Sequence, residues 1–480
     1  MKNINRTISY ILGVLIFVQL ISQEIAAADT ELVSSVGNDQ QAEEIAEEDS
    51  IQQKIPILSE EWIQKTKNPL PWLSWGADLR AREEYISNTQ QNSSAQYPDN
   101  NHQRYRFRAW GKISPTDYFS FQARATYVFR YFLDPESSEG GESGEILLDN
   151  LFFDLSAGKE SPWKLRVGRQ ELSSLGVLWF IQDGTTKDGS RTTFFDAARF
   201  TYNFPNEKTT LDAVYLYQSD RSDAWLPPLG MQESRKYLSE QDVQGGILLL
   251  RDKSIQNTVL EGLVVYRHLY PGDLDSSIYG DDVTVRPKIS YKLNDNWSFE
   301  AEMAGQFGRR NDRDVLAGGA LTRAIYSFND KYKSTVWLGF EYLSGDRGGE
   351  DIDNGMDILW GHYPRISDIA AYQRLESGRS CDYTNLVSPF IGYSTYPIDK
   401  LRLELGYRPM FAPANPLAGD GIHTEDGSFK GHLLQTKFEY NINKHIQTHL
   451  VLESIIPGDY YTDLADDIAF FLRAQVMLTW

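Results

Sequence analysis

The sequence is poor in the residues that build disulfides and metal sites: it has one cysteine, Cys381, and seven histidines in 480 residues. A single cysteine excludes an internal disulfide framework and a metal site made of cysteines. The histidines lack the paired spacing of a zinc site, and no Ser/His/Asp arrangement typical of a hydrolase stands out. We therefore expect no cofactor and predict that the protein is not an enzyme.

Positive charge and long apolar runs are also scarce. The chain has 47 basic and 67 acidic residues, which gives a formal charge of -20. A protein that binds a phosphate backbone needs a clustered basic face, so nucleic acid is not an expected partner. After residue 28 no apolar run approaches the roughly 20 residues of a spanning helix, so any further membrane contact has to be made by strands.

A shorter apolar stretch lies near the start, at residues 8–20, where it follows Lys2 and Arg6 and precedes three alanines at 26–28. A basic start, a short apolar centre and small residues at a cleavage site are typical of a secretory signal peptide. We predict that residues 1–28 are removed on export. A membrane anchor is the alternative, although the stretch is shorter than a spanning helix.

The remaining chain has two textures. Residues 29–69 are acidic and poor in strand-forming residues, which predicts a disordered or loosely helical periplasmic extension. Residues 70–480 consist of segments of roughly 10 to 14 residues in which apolar and polar side chains alternate and turn residues end each segment. In residues 401–408, every odd position is apolar or aromatic and every even position is charged or small. The two faces of such a strand contact different solvents.

About eighteen such segments follow one another, and short turns alternate with longer polar loops between them. An even number of antiparallel strands with short periplasmic turns and long extracellular loops is the architecture of an outer-membrane barrel. The predicted fold is therefore all-β, a transmembrane antiparallel β-barrel of about 18 strands in the bacterial outer membrane. A secreted carbohydrate-binding β protein, soluble without detergent, is the alternative that shares this composition.

The predicted barrel implies partners. Outer-membrane lipid would surround it, and we expect a monomer. The last residue, Trp480, ends an alternating segment as the aromatic assembly signal of bacterial barrels does, so we expect the barrel assembly machinery to bind the C-terminal strand. The alternative is an aromatic residue there by chance, since aromatic residues make up 13% of the sequence.

The strand faces opposite the lipid-facing set are predicted to line a water-filled lumen rich in arginine. Arg104, Arg106 and Arg108 point the same way, about 7 Å apart, because every second strand residue shares a face. Such a row would lower the barrier for a carboxylated solute; the alternative is that it pairs with lumen glutamates and holds a wide barrel open. The predicted pore-lining residues are Arg80, Arg82, Arg104, Arg106, Arg108, Arg124, Arg130, Arg166, Asp196, Arg199, Arg286, Lys288, Glu300, Glu302, Arg402, Glu404, Arg408 and Arg473.

Three local features depart from the alternation. On residues 146–157, Asp149 shares a face with apolar Leu147, Leu151 and Phe153 if the strand is regular. Residues 176–181 are too apolar for an ordinary external loop, and three placements stay open: folding into the lumen, contacting a partner, or extending a strand. A loop at 346–357 offers carboxylate oxygens for calcium, although its spacing departs from the twelve-residue calcium loop. The candidate calcium ligands are Asp351, Asp353 and Asp357.

Residues 165–172, Leu-Arg-Val-Gly-Arg-Gln-Glu-Leu, followed by Asp-Ala-Ala-Arg-Phe at 196–200, resemble the alginate export family of outer-membrane porins. In that family a similar Gly-Arg-Gln strand precedes a loop and a strand with Asp-(Gly/Ala)-x-Arg. The resemblance implies an eighteen-stranded barrel whose arginine-rich lumen passes an anionic polysaccharide outward. It assigns lumen or pore-mouth positions to Arg166, Arg169, Gln170, Asp196 and Arg199, although strict alternation would turn Arg169 away from Arg166.

These observations predict an outer-membrane channel that gives a polar, anionic solute a passive route, with a polysaccharide or a uronate as candidates. A general or anion-selective porin for small solutes is the alternative within transport. An outer-membrane barrel enzyme is the alternative outside transport, and it would need a polar catalytic group exposed at the rim.

Overall fold

The computed structural model describes residues 60–88, 99–134, 146–177, 179–181, 194–221, 225–229, 241–273, 277–349, 351–361, 367–372 and 384–480. In this part of the chain nineteen strands form one sheet. They are β1 (Leu73–Ser87), β2 (Asn100–Ile113), β3 (Phe119–Asp134), β4 (Ile146–Ser156), β5 (Trp163–Gln170), β6 (Phe195–Asn203), β7 (Thr209–Gln218), β8 (Val243–Asp252), β9 (Thr258–Leu269), β10 (Gly280–Lys292), β11 (Trp297–Arg310), β12 (Arg313–Ser327), β13 (Thr335–Leu343), β14 (Ile352–Asp353), β15 (Leu386–Ile398), β16 (Leu401–Phe411), β17 (Phe429–Asn441), β18 (Ile446–Pro457) and β19 (Ala469–Thr479).

The sheet closes on itself. Each long strand pairs antiparallel with the next along the chain, β13 pairs with β15, and β1 pairs with β19 from Asp78–Thr479 to Ser87–Phe470. The two-residue β14 adds in parallel to β12 inside a loop. Closure leaves no long strand with an unpaired edge, which is what a sheet in lipid requires. The predicted eighteen-stranded antiparallel barrel is confirmed.

The outer face of the barrel is apolar. Large side chains such as Phe107, Leu248, Met303, Leu338 and Ile391 are about half exposed or more, at points where their strand neighbours turn inward. A continuous exposed apolar surface is unfavourable in water and favourable against lipid. The period-two alternation of the sequence therefore separates a lipid face from an inner face, as predicted.

The connections differ between the two barrel ends. At one end, here called the turn end, eight connections of two to seven residues join the strands. At the other, the loop end, most connections are long, but β11 and β12 are joined by Asn311 and Asp312 alone. Both residues have left-handed φ angles, 47° and 65°, which suits a tight hairpin. The prediction of a long loop is therefore wrong at this position.

A bulge explains the irregular face of β4. The register with β3 shifts between Arg124 and Ala125, where Arg124 faces Asn150 and Ala125 faces Leu148. Asp149 is the extra residue, so Asp149 and Asn150 are both buried on the inner side. The expectation that Asp149 shares a face with Leu151 and Phe153 is wrong, because a regular strand was assumed.

One short helix, α1 (Glu60–Lys67), precedes the barrel and packs at the turn end against the seam between β1 and β19. The Trp62 ring meets the Trp480 ring edge-on at 5.3 Å between centroids, and the Trp75 ring stacks with the same Trp480 ring at 6.2 Å. Hydrogen bonds from Lys444, Gln64 and His445 lower the pKa of the Glu60 carboxyl to about 2. No helix in the described residues is long and apolar enough to cross a membrane.

Replacing Trp62 by alanine should weaken this seam contact. We expect the free energy of unfolding to fall by about 1–2 kcal/mol, since one aromatic pair and part of its buried area are lost. The urea midpoint of the folded barrel in detergent measures the change. Trp72→Ala is the matched control, because Trp72 is an exposed tryptophan at the same rim without a ring contact among the described residues. An equal effect of both substitutions would contradict the seam contact.

The interior contains an apolar core, here called the inner apolar cluster. Its infolded part consists of Leu172, Leu175, Val177, Trp179, Phe180, Ile181, Met356, Leu359, Trp360 and Ile369. Its wall part consists of inward side chains such as Val214, Leu216, Ile247, Leu249, Leu263, Val265, Val315, Leu343, Leu386, Leu433, Ile455 and Phe471. The expectation of a lumen that is polar and water-filled throughout is therefore wrong where these side chains line the loop-end half, although buried polar residues such as Arg267, Asp282 and Gln306 lie among them.

Two segments carry the infolded part of this cluster. The first follows β5 and includes residues 172–177 and 179–181; the second includes residues 356–361 and 367–370 of the connection between β13 and β15. They meet where Trp360 N–H donates to Phe180 O at 2.9 Å, and the Trp360 ring lies edge-on to Phe195 of the wall at 5.3 Å. Of the three placements left open for residues 176–181, folding into the barrel is the observed one for the described residues.

Candidate functional site: the barrel interior

The interior has one strongly basic wall, here called the arginine wall. It is formed by β1, β2, β3 and β19, whose inward residues alternate with lipid-facing ones. Its members are Arg80, Arg82, Arg104, Arg106, Arg108, Arg124, Arg130 and Arg473. Seven of the eight are at most 8% exposed. The predicted inward orientation is observed for all eight, but the arginines are packed rather than spread along an open channel.

The register of the wall sets arginines opposite arginines. Arg80 faces Arg106, and Arg104 faces Arg82 on one side and Arg130 on the other. Like charges directly opposite each other on neighbouring strands are destabilising. A network that served only to brace the barrel would alternate acids with bases at these positions.

Two carboxylates of β1 partly neutralise the wall. Asp78 accepts from Arg108 Nε at 2.7 Å and lies 3.6 Å from Arg106. Glu84 is fully buried and accepts from Arg104 at 3.0 Å and from Arg473 at 2.7 Å. Two buried donors, Arg106 Nε and Arg108 Nη1, still have no hydrogen-bond partner among the described residues. Unsatisfied buried donors are costly, and a ligand anion would satisfy them.

The bulge residue Asp149 supplies the third carboxylate. It accepts from both Arg124 Nε and Arg124 Nη2 at 2.8 Å, in a bidentate pair, and from Thr126 at 2.9 Å. Arg124 also donates to Glu171, the residue that follows β5. Sequence reasoning missed this role of Asp149 because the alternation rule cannot place a bulged residue.

A clamp fixes the second infolded segment to the wall opposite the arginine wall. Asp357 accepts from Arg267 Nη2 at 2.7 Å and from Arg310 Nη1 at 3.3 Å. Gln306 of β11 donates to Asp357 O at 2.6 Å and accepts from Asp357 N at 2.8 Å. Burial alone would raise the pKa of Asp357, but the charges of Arg267 and Arg310 lower it to about 2.

The clamp bears on the calcium prediction. Asp353 and Asp357 both face Arg310, and Asp346 forms a bidentate pair with Arg313. Carboxylates held by guanidinium groups are not arranged around a cation. Among the described residues no cluster of three or more His, Cys, Asp or Glu could hold a metal ion. The structure gives Asp351, Asp353 and Asp357 no support as calcium ligands.

Towards the turn end the inner face is polar, and its charges form cross-strand pairs. The cross-strand pairs are Arg166–Asp154 at 2.7 Å, Arg199–Asp212 at 2.9 Å, Arg286–Glu261 at 2.8 Å, Arg286–Glu302 at 3.3 Å, Arg323–Glu300 at 2.7 Å and Arg402–Glu439 at 3.0 Å. Arg402 also pairs with Glu404 of its own strand at 2.6 Å, and Arg408 pairs with Glu341 at 2.8 Å nearer the loop end. Lys288 faces Glu261 and Glu302 in the register. In this half, the inner face agrees with the alternative in which arginines pair with carboxylates, and not with a row of unpaired basic residues among the described residues.

One predicted pore-lining residue faces the other way. Asp196 shares its strand face with the exposed Phe200, and it accepts from Arg169, its cross-strand neighbour, at 3.1 Å. Trp225 covers this pair from the loop between β7 and β8 and donates to Asp196. The prediction that Asp196 lines the lumen is wrong, because period two places it on the outer side together with Arg169. The alternation argument was right for Arg169.

The Gly-Arg-Gln motif has a structural basis. Gly168 has φ +126°, and a Cβ there would lie 2.3 Å from the Leu151 carbonyl oxygen, so only glycine lets β5 approach β4. Gln170 lies fully buried inside and donates to Ala197 O at 2.9 Å. The motif thus joins β4, β5 and β6 and has side chains on both faces.

The sequence matches a known family model, described as Alginate export, over residues 71–469, which include every barrel strand except most of β19. The chain belongs to the alginate export family. No curated protein sequence matches the chain.

Solved structures share the fold at low identity. They include Acinetobacter baumannii OccAB2 (TM-score 0.54, 12% identity, covering 85% of this chain and 98% of that one). Pseudomonas aeruginosa OccK2 in complex with glucuronate has TM-score 0.52 and 16% identity, covering 84% of this chain and 97% of that one. Pseudomonas aeruginosa OprD has TM-score 0.50 and 12% identity, covering 85% and 95%. The chain is therefore a barrel of the bacterial outer membrane and a channel for polar or anionic solutes, as predicted.

Proposed function

We propose that this member of the alginate export family is a passive channel for carboxylated sugars, whose carboxylates bind the arginine wall. The observation that carries the proposal is the arrangement of arginine opposite arginine in two cross-strand rows, Arg80–Arg106 and Arg82–Arg104–Arg130. Such rows concentrate positive charge on one wall, and a solute carboxylate would bind there through charge-assisted hydrogen bonds. No covalent chemistry is part of the proposal.

The size of the solute follows from the infolded segments. They fill the loop-end half with apolar side chains, and the arginines that face them are almost fully buried. Such an interior favours a single uronate or a short oligomer over a polymer in this conformation. The solved structure of OccK2 holds glucuronate in a barrel of the same fold, which supports a sugar acid as the solute class.

Three further proposals complete the assignment. Residues 1–28 are a signal peptide and residues 29–69 a periplasmic extension, of which only 60–69 lie within the described residues. Residues 70–480 form the barrel domain. The barrel acts as a monomer, and the assembly machinery binds its last strand, which ends at Trp480.

Conductance of the purified full-length protein in planar bilayers tests the proposed function. We expect a reversal potential that shows anion preference in a potassium chloride gradient, and a concentration-dependent block by glucuronate. Equimolar neutral glucose is the control, and a glucuronate oligomer distinguishes a polymer channel from a channel for small solutes. Conductance without anion preference and without block by either uronate would refute the proposal.

A further inference from the structure

Two carboxylates of the infolded segments lie on the arginine wall. Glu171, directly after β5, accepts from Arg124 Nη2, and an oxygen of Asp368 lies 3.1 Å from Arg473 Nη1. Neither belongs to a barrel strand. The wall therefore already contacts carboxylates from loops, in addition to those of its own strands.

Each of these arginines contacts a wall carboxylate and a loop carboxylate at the same time. Arg473 donates through Nε to Glu84 at 2.7 Å, and Nη1 is the nitrogen next to Asp368. Arg124 holds Asp149 through Nε and Nη2, and Nη2 also reaches Glu171. A guanidinium group presents five N–H donors in a planar fork and can hold two carboxylates at once. The loop carboxylate takes the side that a solute carboxylate would need.

A third carboxylate holds Asp368 in place. Glu453 of β18 is buried and accepts from Ser367 Oγ at 2.8 Å and from Ile369 N at 2.7 Å, on either side of Asp368. Ile369 packs in the inner apolar cluster. The backbone around Asp368 is therefore fixed to β18, the strand next to β19, and the position of its carboxylate on Arg473 is set by the fold.

We propose that Asp368 and Glu171 are built-in competitors of the anionic solute and set how strongly the arginine wall binds it. A carboxylated solute has to displace or share these contacts, so only solutes above a threshold concentration occupy the wall. The proposal rests on the proposed function, because it concerns the same arginines. It assigns a specificity-determining role to two loop residues.

Neutralising one competitor tests the proposal. In Asp368→Asn the side chain keeps its shape but loses its charge, so we expect the glucuronate concentration for half-block in planar bilayers to fall about tenfold, as expected for one charge-assisted hydrogen bond. Glu171→Gln should act in the same direction. Asp426→Asn in an exposed loop removes the same charge away from the wall and should behave as wild type.

The charge-retaining variant Asp368→Glu separates competition from a loosened loop. We expect it to be blocked as the wild type is, because a carboxylate remains near Arg473. An equal half-block concentration in Asp368→Asn and wild type, or the same fall in Asp368→Glu as in Asp368→Asn, would overturn the competitor role while leaving the proposed function intact. Absence of anion preference and of block in the wild type would instead refute the proposed function itself, and the competitor role with it.

Discussion

Replacing Asp357 by alanine is expected to open the barrel: the mean conductance and the open probability of single channels should both rise. Asp357 holds the second infolded segment to the wall through Arg267, Arg310 and Gln306. Breaking a buried ion pair by removing one partner costs about 3–5 kcal/mol. The substitution destabilises the conformation in which the segment is clamped. It does not destabilise the conformation in which the segment is displaced, because there the freed side chains are hydrated.

Single-channel recordings of Asp357→Ala and wild type measure the effect. Asp351→Ala is the matched control, since Asp351 lies in the same connection and its carboxylate contacts no arginine among the described residues. Unchanged conductance in Asp357→Ala, with a normally folded barrel, would contradict a role for the clamp in closing the interior.

The pH dependence of the wild type follows from the same group. The pKa of Asp357 is lowered to about 2 in the folded protein, against about 3.9 for a free aspartate. A lowered pKa gives stability that is present above the ordinary pKa and is lost as the pH falls through the folded value. Asp357 therefore stays ionised between about pH 7 and pH 4, and we expect the clamp to cause no change in the conductance of the wild type over this range. A rise in conductance between pH 7 and pH 5 that Asp357→Ala lacks would contradict the lowered pKa.

Neutralising the centre of the arginine wall should have the second large effect. Arg106→Gln with Arg108→Gln removes two adjacent positive charges and the two buried donors without partners. We expect the anion-to-cation permeability ratio to fall by about an order of magnitude, because fixed charge in a low-dielectric passage sets local ion concentration. Reversal potentials in a salt gradient measure the ratio.

The double substitution would leave Asp78 buried without its cations, so the test is made in a chain that also carries Asp78→Asn. Arg309→Gln is the control, because Arg309 is exposed at the loop end of β11 and lies outside the wall. An unchanged permeability ratio in a barrel that still conducts would contradict the claim that the arginine wall determines anion selectivity.

Much of the fold could be predicted because apolar and polar residues alternate along each strand. This alternation shows that one face contacts lipid and the other faces the barrel interior. Most lipid-facing positions of β3 and β16 alternate with a polar one, so strand identity and the inward direction of Arg124 and Arg402 follow from residue type alone. The same argument turned Arg169 outward against the family resemblance, and the structure agrees. Closure of β1 on β19 followed from the even count of strands.

What could not be predicted depends on contacts distant in sequence. The position of Asp149 depends on a bulge, and bulges have no period. Burial of the arginine wall depends on infolded residues such as Trp360. Their apolar character predicts that they are buried, but it does not predict which strands they pack against. Asp357 and Asp368 have the composition of an ordinary acidic loop, and only their arginine partners give them a role.

The inner apolar cluster also changes the character of β8 and β9. In β8, Ile247 and Leu249 point inward and Leu248 and Leu250 point outward, so residues 247–250 are apolar on both sides. Before insertion, such a segment presents aliphatic side chains in every direction and combines high strand propensity with low charge. Aggregation of chains delayed on their way to the membrane should therefore begin here, and this hairpin is where escort proteins would be needed most.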